Sequence, residues 1–139
     1  MSLKSFSAIC LLATIFSTSS GHAQTIKSDF PVDSVQGLQW LDREAKTMSL
    51  ALLALYPNGC YQLEQTTAMT SADEMKIYVR QSVLVSDEMC TQAIVPQTDY
   101  ATIYFPAYGQ CEVIDSADLR ILGWIILDET GFSFRSAKK

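Results

Sequence analysis

The stretch MKIYVRQSVLV, residues 75–85, decides the fold class because its apolar side chains recur at every second position. Met75, Ile77, Val79, Val83 and Val85 alternate with Lys76, Tyr78, Arg80 and Ser82. A period of two is typical of a β-strand with one buried face, whereas an amphipathic helix repeats near 3.6 residues. The stretch therefore predicts a half-buried strand.

Further short β stretches follow along the chain, each separated from the next by turn residues: 90–95, 100–105, 111–114, 119–127 and 132–134. Residues 119–127 are nearly all apolar, which indicates a strand that is covered on both faces. The run DETG, residues 128–131, predicts a hairpin turn before the last strand. Short strands at this spacing predict a β-sandwich or barrel.

Two interpretations fit the segment 34–55. Apolar residues fall at helical spacing at Leu38, Leu41, Ala45, Met48, Leu52 and Leu55. Local propensity alone therefore favours a short helix. The alternative is two strands, 35–41 and 47–56, the second of which would place alternate apolar residues on one face, namely Met48, Leu50, Leu52, Ala54 and Tyr56.

The first 23 residues have the pattern of a secretory signal peptide. Lys4 precedes an apolar stretch over residues 6–16, and Gly21-His22-Ala23 places small residues where a signal peptidase reads them. We expect cleavage before Gln24, which leaves a single domain over residues 24–139 in the periplasm or outside the cell. No later apolar run is long enough to predict a transmembrane segment in the mature chain.

The charge of the chain argues against one class of partner. The formal net charge is −5, with ten Lys and Arg against fifteen Asp and Glu, and cleavage would also remove Lys4. An acidic chain repels phosphate backbones, so no nucleic-acid partner is expected.

Three cysteines remain after the predicted cleavage: Cys60, Cys90 and Cys111. In an oxidising compartment two of them should pair, which would restrict the unfolded chain by about 3–4 kcal/mol. Each of the three pairings leaves one thiol, which we expect to be buried rather than available for an intermolecular bond.

Two short motifs carry a resemblance to known domains. The runs YPNGCYQL, residues 56–63, and CTQAIVP, residues 90–96, resemble a pattern in small uncharacterised exported bacterial domains, either lipoproteins or secreted proteins, with an immunoglobulin-like sandwich. The resemblance implies an immunoglobulin-like β-sandwich with strands before Cys60. It also implies a Cys60–Cys90 disulfide, which leaves Cys111 as the free thiol. Cys111 itself departs from the pattern, so a bridge between Cys90 and Cys111 remains an alternative.

The mature chain would contain no histidine, because His22 lies in the predicted signal peptide. Histidine is the usual general base at neutral pH and the commonest transition-metal ligand. We therefore predict no catalytic residues, no metal site and no cofactor. Chemistry by carboxylates alone is the remaining catalytic hypothesis, with Asp115 and Asp118 as the pair, although acids in turns usually cap the backbone.

Aromatic residues cluster around one predicted loop, and Tyr104, Phe105 and Tyr108 are the candidate binding residues there, with Tyr100 nearby. Exposed tyrosines give contact area at a low entropy cost. We expect a non-enzymatic binding or accessory module that recognises a protein or another envelope component. The alternatives are an exported enzyme inhibitor that presents the 104–111 loop and, less favoured, a small hydrolase that uses carboxylates alone.

Overall fold

The computed structural model describes residues 24–138 and confirms the all-β prediction: this part of the chain contains strands and no helix. The predicted signal peptide, residues 1–23, lies outside the described residues. The strands are β1 (Thr25–Phe30), β2 (Ser34–Asp42), β3 (Thr47–Tyr56), β4 (Tyr61–Ser71), β5 (Lys76–Ser86), β6 (Val95–Tyr104), β7 (Gly109–Asp115), β8 (Ile121–Asp128) and β9 (Gly131–Ser136).

The candidate helix in residues 34–55 is wrong, and the two-strand interpretation is confirmed. β2 and β3 form an antiparallel hairpin, in which Leu38 pairs with Leu50 and Trp40 with Met48. The alternate apolar residues of β3 are all buried. Full burial contributes about 1.5–3 kcal/mol for each large side chain, while helix propensities differ by at most about 0.7 kcal/mol per ordinary residue. Tertiary burial therefore overrides the local preference.

The strands form two sheets in a sandwich-like arrangement. The smaller sheet has the order β2-β3-β6 and is antiparallel throughout. In the larger sheet, β4 pairs with one edge of β5, while β1 and β7 share the other edge, and β8 and β9 extend the sheet from β7. The β5–β7 pair is parallel, a contact that the local patterns do not indicate. The immunoglobulin-like connectivity itself stays a prediction.

The core lies between the two sheets. Its main cluster contains Leu50 and Leu52 from β3 and Ile77 and Val79 from β5. Cys111 is fully buried in this cluster, and burial raises the pKa of its thiol to about 11. The thiol is therefore protonated at neutral pH, which makes it a poor nucleophile.

A smaller core cluster, centred on Ala54, Tyr56 and Val83, fills the other end of the sandwich. Phe30 meets the Tyr56 ring edge-on, with centroids 4.9 Å apart, and also packs against Tyr61 at 5.3 Å. These aromatic contacts hold the end of β1 against β3 and β4.

The Cys60–Cys90 disulfide is present, with 5.2 Å between the two Cα atoms. It ties the corner before β4, in the larger sheet, to the segment that leads into β6, in the smaller sheet. Asn58 shapes this corner through its side-chain oxygen, which accepts the Cys60 N–H at 2.8 Å, and Gly59 donates its N–H to the Thr91 carbonyl at 2.9 Å. The two sequence motifs therefore meet each other directly.

The predicted strand over residues 90–95 is wrong. The chain from Cys90 to Ile94 is irregular, and β6 begins at Val95 and passes through Pro96. β6 lies at the edge of its sheet, where a proline without an N–H costs no ladder hydrogen bond. The hairpin at residues 128–131 is confirmed, since Asp128 pairs with Gly131 and its carboxylate accepts the Thr130 N–H at 2.8 Å.

Close packing between β8 and β9 generates a stability prediction. A Cβ atom on Gly123 would overlap the Phe134 ring and the Arg135 carbonyl oxygen. We expect Gly123→Ala to lower the free energy of unfolding in urea by about 1–3 kcal/mol, because the added methyl overpacks this contact. The matched control is Gly37→Ala, whose new Cβ would lie 3.9 Å from the Cβ of Ala51.

The control variant should leave the unfolding free energy unchanged or raise it by up to about 1 kcal/mol, since alanine restricts the unfolded chain. Equal losses in the two variants would contradict the packing of β8 against β9.

Candidate binding surface on the three-stranded sheet

The candidate loop residues have different positions in the structure. Tyr104 and Tyr108 are 57% and 55% exposed, whereas Phe105 is fully buried in the main core cluster. The Phe105 N–H donates to the Lys46 carbonyl at 2.9 Å, which fixes the base of the loop to the β2–β3 turn. The prediction that Phe105 belongs to an exposed loop surface is therefore wrong, because its side chain anchors the loop to the core.

The exposed tyrosines of β6 point away from the core, on the outer face of the smaller sheet. Tyr100 pairs with Ala51 and Tyr104 pairs with Thr47, both at outward positions of β3. Tyr100 is 62% exposed. Four residues of extended strand separate the two tyrosines by roughly 13 Å. They form one line along the edge of the sheet.

Small side chains form the floor of this face beside Tyr100. Gly37, Ala51 and Tyr100 lie abreast across the three strands, and Gln39, Ser49 and Thr102 form the next row. A depression of about 250 Å³ results, and it is lined by Gly37, Leu38, Gln39, Ser49, Ala51 and Tyr100. The large Tyr100 side chain stands beside residues too small to fill the space next to it.

The outer face of the smaller sheet is nearly free of charge. Its paired outward positions are Ser34, Gly37, Gln39 and Asp42 on β2, Thr47, Ser49, Ala51, Leu53 and Leu55 on β3, and Pro96, Thr98, Tyr100, Thr102 and Tyr104 on β6. Asp42 is the one charged residue among them. It lies next to the β2–β3 turn, where its carboxylate accepts the Ala45 N–H at 3.0 Å.

The outer face of the larger sheet, in contrast, carries many charged residues. Charged residues are spread over its strands, at Lys27, Asp29, Glu64, Lys76, Arg80, Glu112 and Arg135. Several are paired: Lys27 contacts Glu64 at 2.8 Å and Arg80 contacts Asp29 at 2.8 Å. The two outer faces of the sandwich therefore differ in charge within one small protein.

Two contacts hold the tyrosine-bearing end of the smaller sheet in place. The Thr70 hydroxyl of β4 donates to the Tyr104 carbonyl at 2.8 Å, which joins the neighbouring edges of the two sheets. The Lys46 ammonium lies over the Tyr108 ring, 5.4 Å from its centroid. The first contact holds the backbone at Tyr104 and the second holds the Tyr108 ring, while both side chains remain more than half exposed.

A second cleft, of about 170 Å³, lies at the β1–β2 connection and is lined by Phe30, Pro31, Val32, Asp33, Leu55 and Arg120. Its charged groups are already engaged. The Arg120 guanidinium donates to the Val32 carbonyl, and Asp33 contacts the Lys138 ammonium at 2.8 Å. The hydrogen bond from the Lys138 ammonium, together with its positive charge, lowers the pKa of the Asp33 carboxyl below its usual range. The arrangement ties the β1–β2 connection to the end of the chain.

Asp115 and Asp118 do not form a pair of acids facing a cleft. Asp115 is fully buried, and its two oxygens accept the N–H groups of Val32 at 2.7 Å and Ala117 at 3.0 Å. Asp118 accepts the Arg120 N–H at 3.0 Å and caps the turn. Both carboxylates thus serve the backbone, which is the structural role that acids in turns usually have.

The described part of the chain, residues 24–138, contains no group of three or more His, Cys, Asp or Glu residues placed to hold a metal ion. Over the same range, no helix is long and apolar enough to cross a membrane.

Comparisons of the chain with protein-family models, curated proteins and solved structures find no match. The resemblance to small exported bacterial domains stays a prediction. The candidate surface therefore rests on its own geometry.

Burial of Asp115 generates a second prediction. Asparagine has one acceptor oxygen where the carboxylate has two. In Asp115→Asn, one of the two backbone N–H groups would therefore face the amide NH₂ group, which cannot accept its hydrogen bond. We expect a loss of about 1–3 kcal/mol in the free energy of unfolding at neutral pH. The matched control is Asp118→Asn. The Asp118 side chain is half exposed, so this variant should lower the free energy of unfolding by less than about 1 kcal/mol.

The same carboxyl should contribute a pH dependence of known sign. Desolvation raises the pKa of Asp115 above its usual range, so the folded protein holds this proton more tightly than the unfolded chain does. Its contribution to stability should therefore fall as pH rises from the ordinary aspartate pKa through the raised one. In urea unfolding, the free energy of unfolding of the native protein should therefore fall relative to that of Asp115→Asn as pH rises through this range; a difference that does not change with pH would contradict the assignment.

Proposed function

We propose that the mature chain is an exported, non-enzymatic binding module of the cell envelope, and that it contacts its partner through the outer face of the β2-β3-β6 sheet. The observation that carries this proposal is the combination, on one face, of exposed tyrosines, a depression beside Tyr100 and an almost complete lack of charge. We refer to this face below as the tyrosine face.

The chemistry of the tyrosine face supports recognition. Tyrosine presents a large rigid ring and a polar tip, and it loses little rotamer freedom when it is immobilised by a ligand. Tyr100 and Tyr104 are both more than half exposed although they belong to a regular strand. The hydrogen-bonded ladder fixes their backbone, so the surface is organised before a partner arrives, which reduces the entropy cost of binding.

Two features support the proposed location. Residues 1–23 have the signal-peptide pattern, and the described chain carries a disulfide between Cys60 and Cys90. Structural disulfides form and persist in oxidising compartments such as the periplasm. A periplasmic or secreted protein fits both features.

Site-specific crosslinking tests the proposed surface. Tyr100→benzoylphenylalanine places a photoreactive ring on the tyrosine face, and Tyr78→benzoylphenylalanine places the same ring on the outer face of the larger sheet as a matched control. Illumination of cells that export each variant should give a higher-mass adduct from position 100 and none from position 78. Adducts from both positions, or from neither, would contradict a binding role for this face.

A further inference from the structure

We infer that the ligand of the tyrosine face is a neutral polysaccharide chain, bound along β6 with one sugar ring seated in the depression beside Tyr100. This inference rests on the proposed function, because it names the chemical class of ligand for the same surface.

The side chains around the depression are those that recognise sugars. A pyranose ring has an apolar face of C–H groups, which carry a small positive charge and pack against the negative face of an aromatic ring. Tyr100 supplies that ring. Gln39, Ser49 and Thr102 lie in the neighbouring row and supply amide and hydroxyl groups, which both donate and accept hydrogen bonds as sugar hydroxyls require.

Charge selects a neutral glycan over an anionic one. The chain has a formal net charge of −5, and the paired outward positions of the smaller sheet include no lysine or arginine. The two cations of the β2–β3 turn have other contacts: Arg43 donates to the Glu129 and Thr130 carbonyls, and Lys46 lies over the Tyr108 ring. An anionic polymer would therefore meet a repulsive field with no local cation to offset it.

The shape of the face fits a chain better than a folded protein. Protein interfaces usually combine a large apolar centre with arginine and aromatic residues. Here the two tyrosines are separated by roughly 13 Å along one strand, and small or hydroxyl-bearing residues occupy the space around them. An extended polymer can contact both rings at once and place a ring in the depression between the small side chains.

Affinity electrophoresis in native gels tests the inference. The full sequence has a pI of about 4.7, and cleavage would remove the positive Lys4, so the exported protein should migrate towards the anode in a gel near pH 8. Gels would contain a neutral β-glucan (hydroxyethylcellulose), a neutral α-glucan (dextran), a galactomannan or the anionic polysaccharide alginate. We expect at least one neutral polymer to retard the protein, and about 0.5 M NaCl to leave that retardation unchanged because no ion pairs are formed.

The variants separate stacking from general surface effects. Tyr100→Ala should weaken the retardation at least about tenfold, whereas Tyr100→Phe, which keeps the ring, should stay within about threefold of the native protein. Ser49→Phe should also abolish retardation by filling the depression. Tyr78→Ala, on the opposite outer face, should bind as the native protein does. Circular dichroism and the urea midpoint would verify that each variant is folded.

Three outcomes would overturn the inference: no retardation by any neutral polymer, retardation by alginate alone, or retardation that survives in Tyr100→Ala. These results are distinguishable from failure of the proposed function. A crosslinked adduct from position 100 without polysaccharide binding would support the proposed binding surface and contradict the polysaccharide ligand. If neither the adduct nor polysaccharide binding is observed, the proposed binding surface is contradicted as well.

Discussion

The mutual burial of alternate side chains from β3 and β5 is the constraint on which the rest of the structure depends. Leu50 and Leu52 of β3 and Ile77 and Val79 of β5 pack into one core cluster between the sheets. Each strand therefore buries the side chains of one face in the core, and only the residues of the other face can differ in size and polarity without disturbing the core. The outward positions of β3 next to the β6 tyrosines carry threonine, serine and alanine, and these small side chains leave the depression beside Tyr100.

Much of the fold could be predicted from sequence because the buried faces impose a period of two. Residues 75–85 predict β5, and the two-strand interpretation of 34–55 anticipates the bounds of β3. The helical spacing in that segment is accidental, since it runs across the β2–β3 turn, where Lys46 adopts a positive φ of 51°. A turn without glycine or proline gives little local signal. The parallel contact between β5 and β7 depends on the whole sheet, so no single stretch could indicate it.

The candidate surface is harder to predict than the fold. The aromatic cluster near residues 100–108 is visible in the sequence, and the alternation over 100–105 is the signal that separates Phe105, which packs in the core, from the exposed Tyr100 and Tyr104. The floor of the surface, Gly37 and Ala51, comes from other strands and becomes adjacent only through pairing. The usable signal would have been the small outward residues of 47–56, once that segment was assigned as a strand.

The edge of β6 also bears on the proposed binding mode, because an exposed strand edge can add to the sheet of another protein. Asp99 pairs with the buried Leu52, which places its half-buried carboxylate on the inward side of this edge strand. Its charge also raises the pKa of Tyr56, after the larger effect of burial. Inward-pointing charge and proline are features that natural sheets use to block strand addition, and β6 has both, in Asp99 and Pro96. Since the Thr70 hydroxyl further joins this edge to β4, the outer face rather than the edge is the part of β6 that remains open to a ligand.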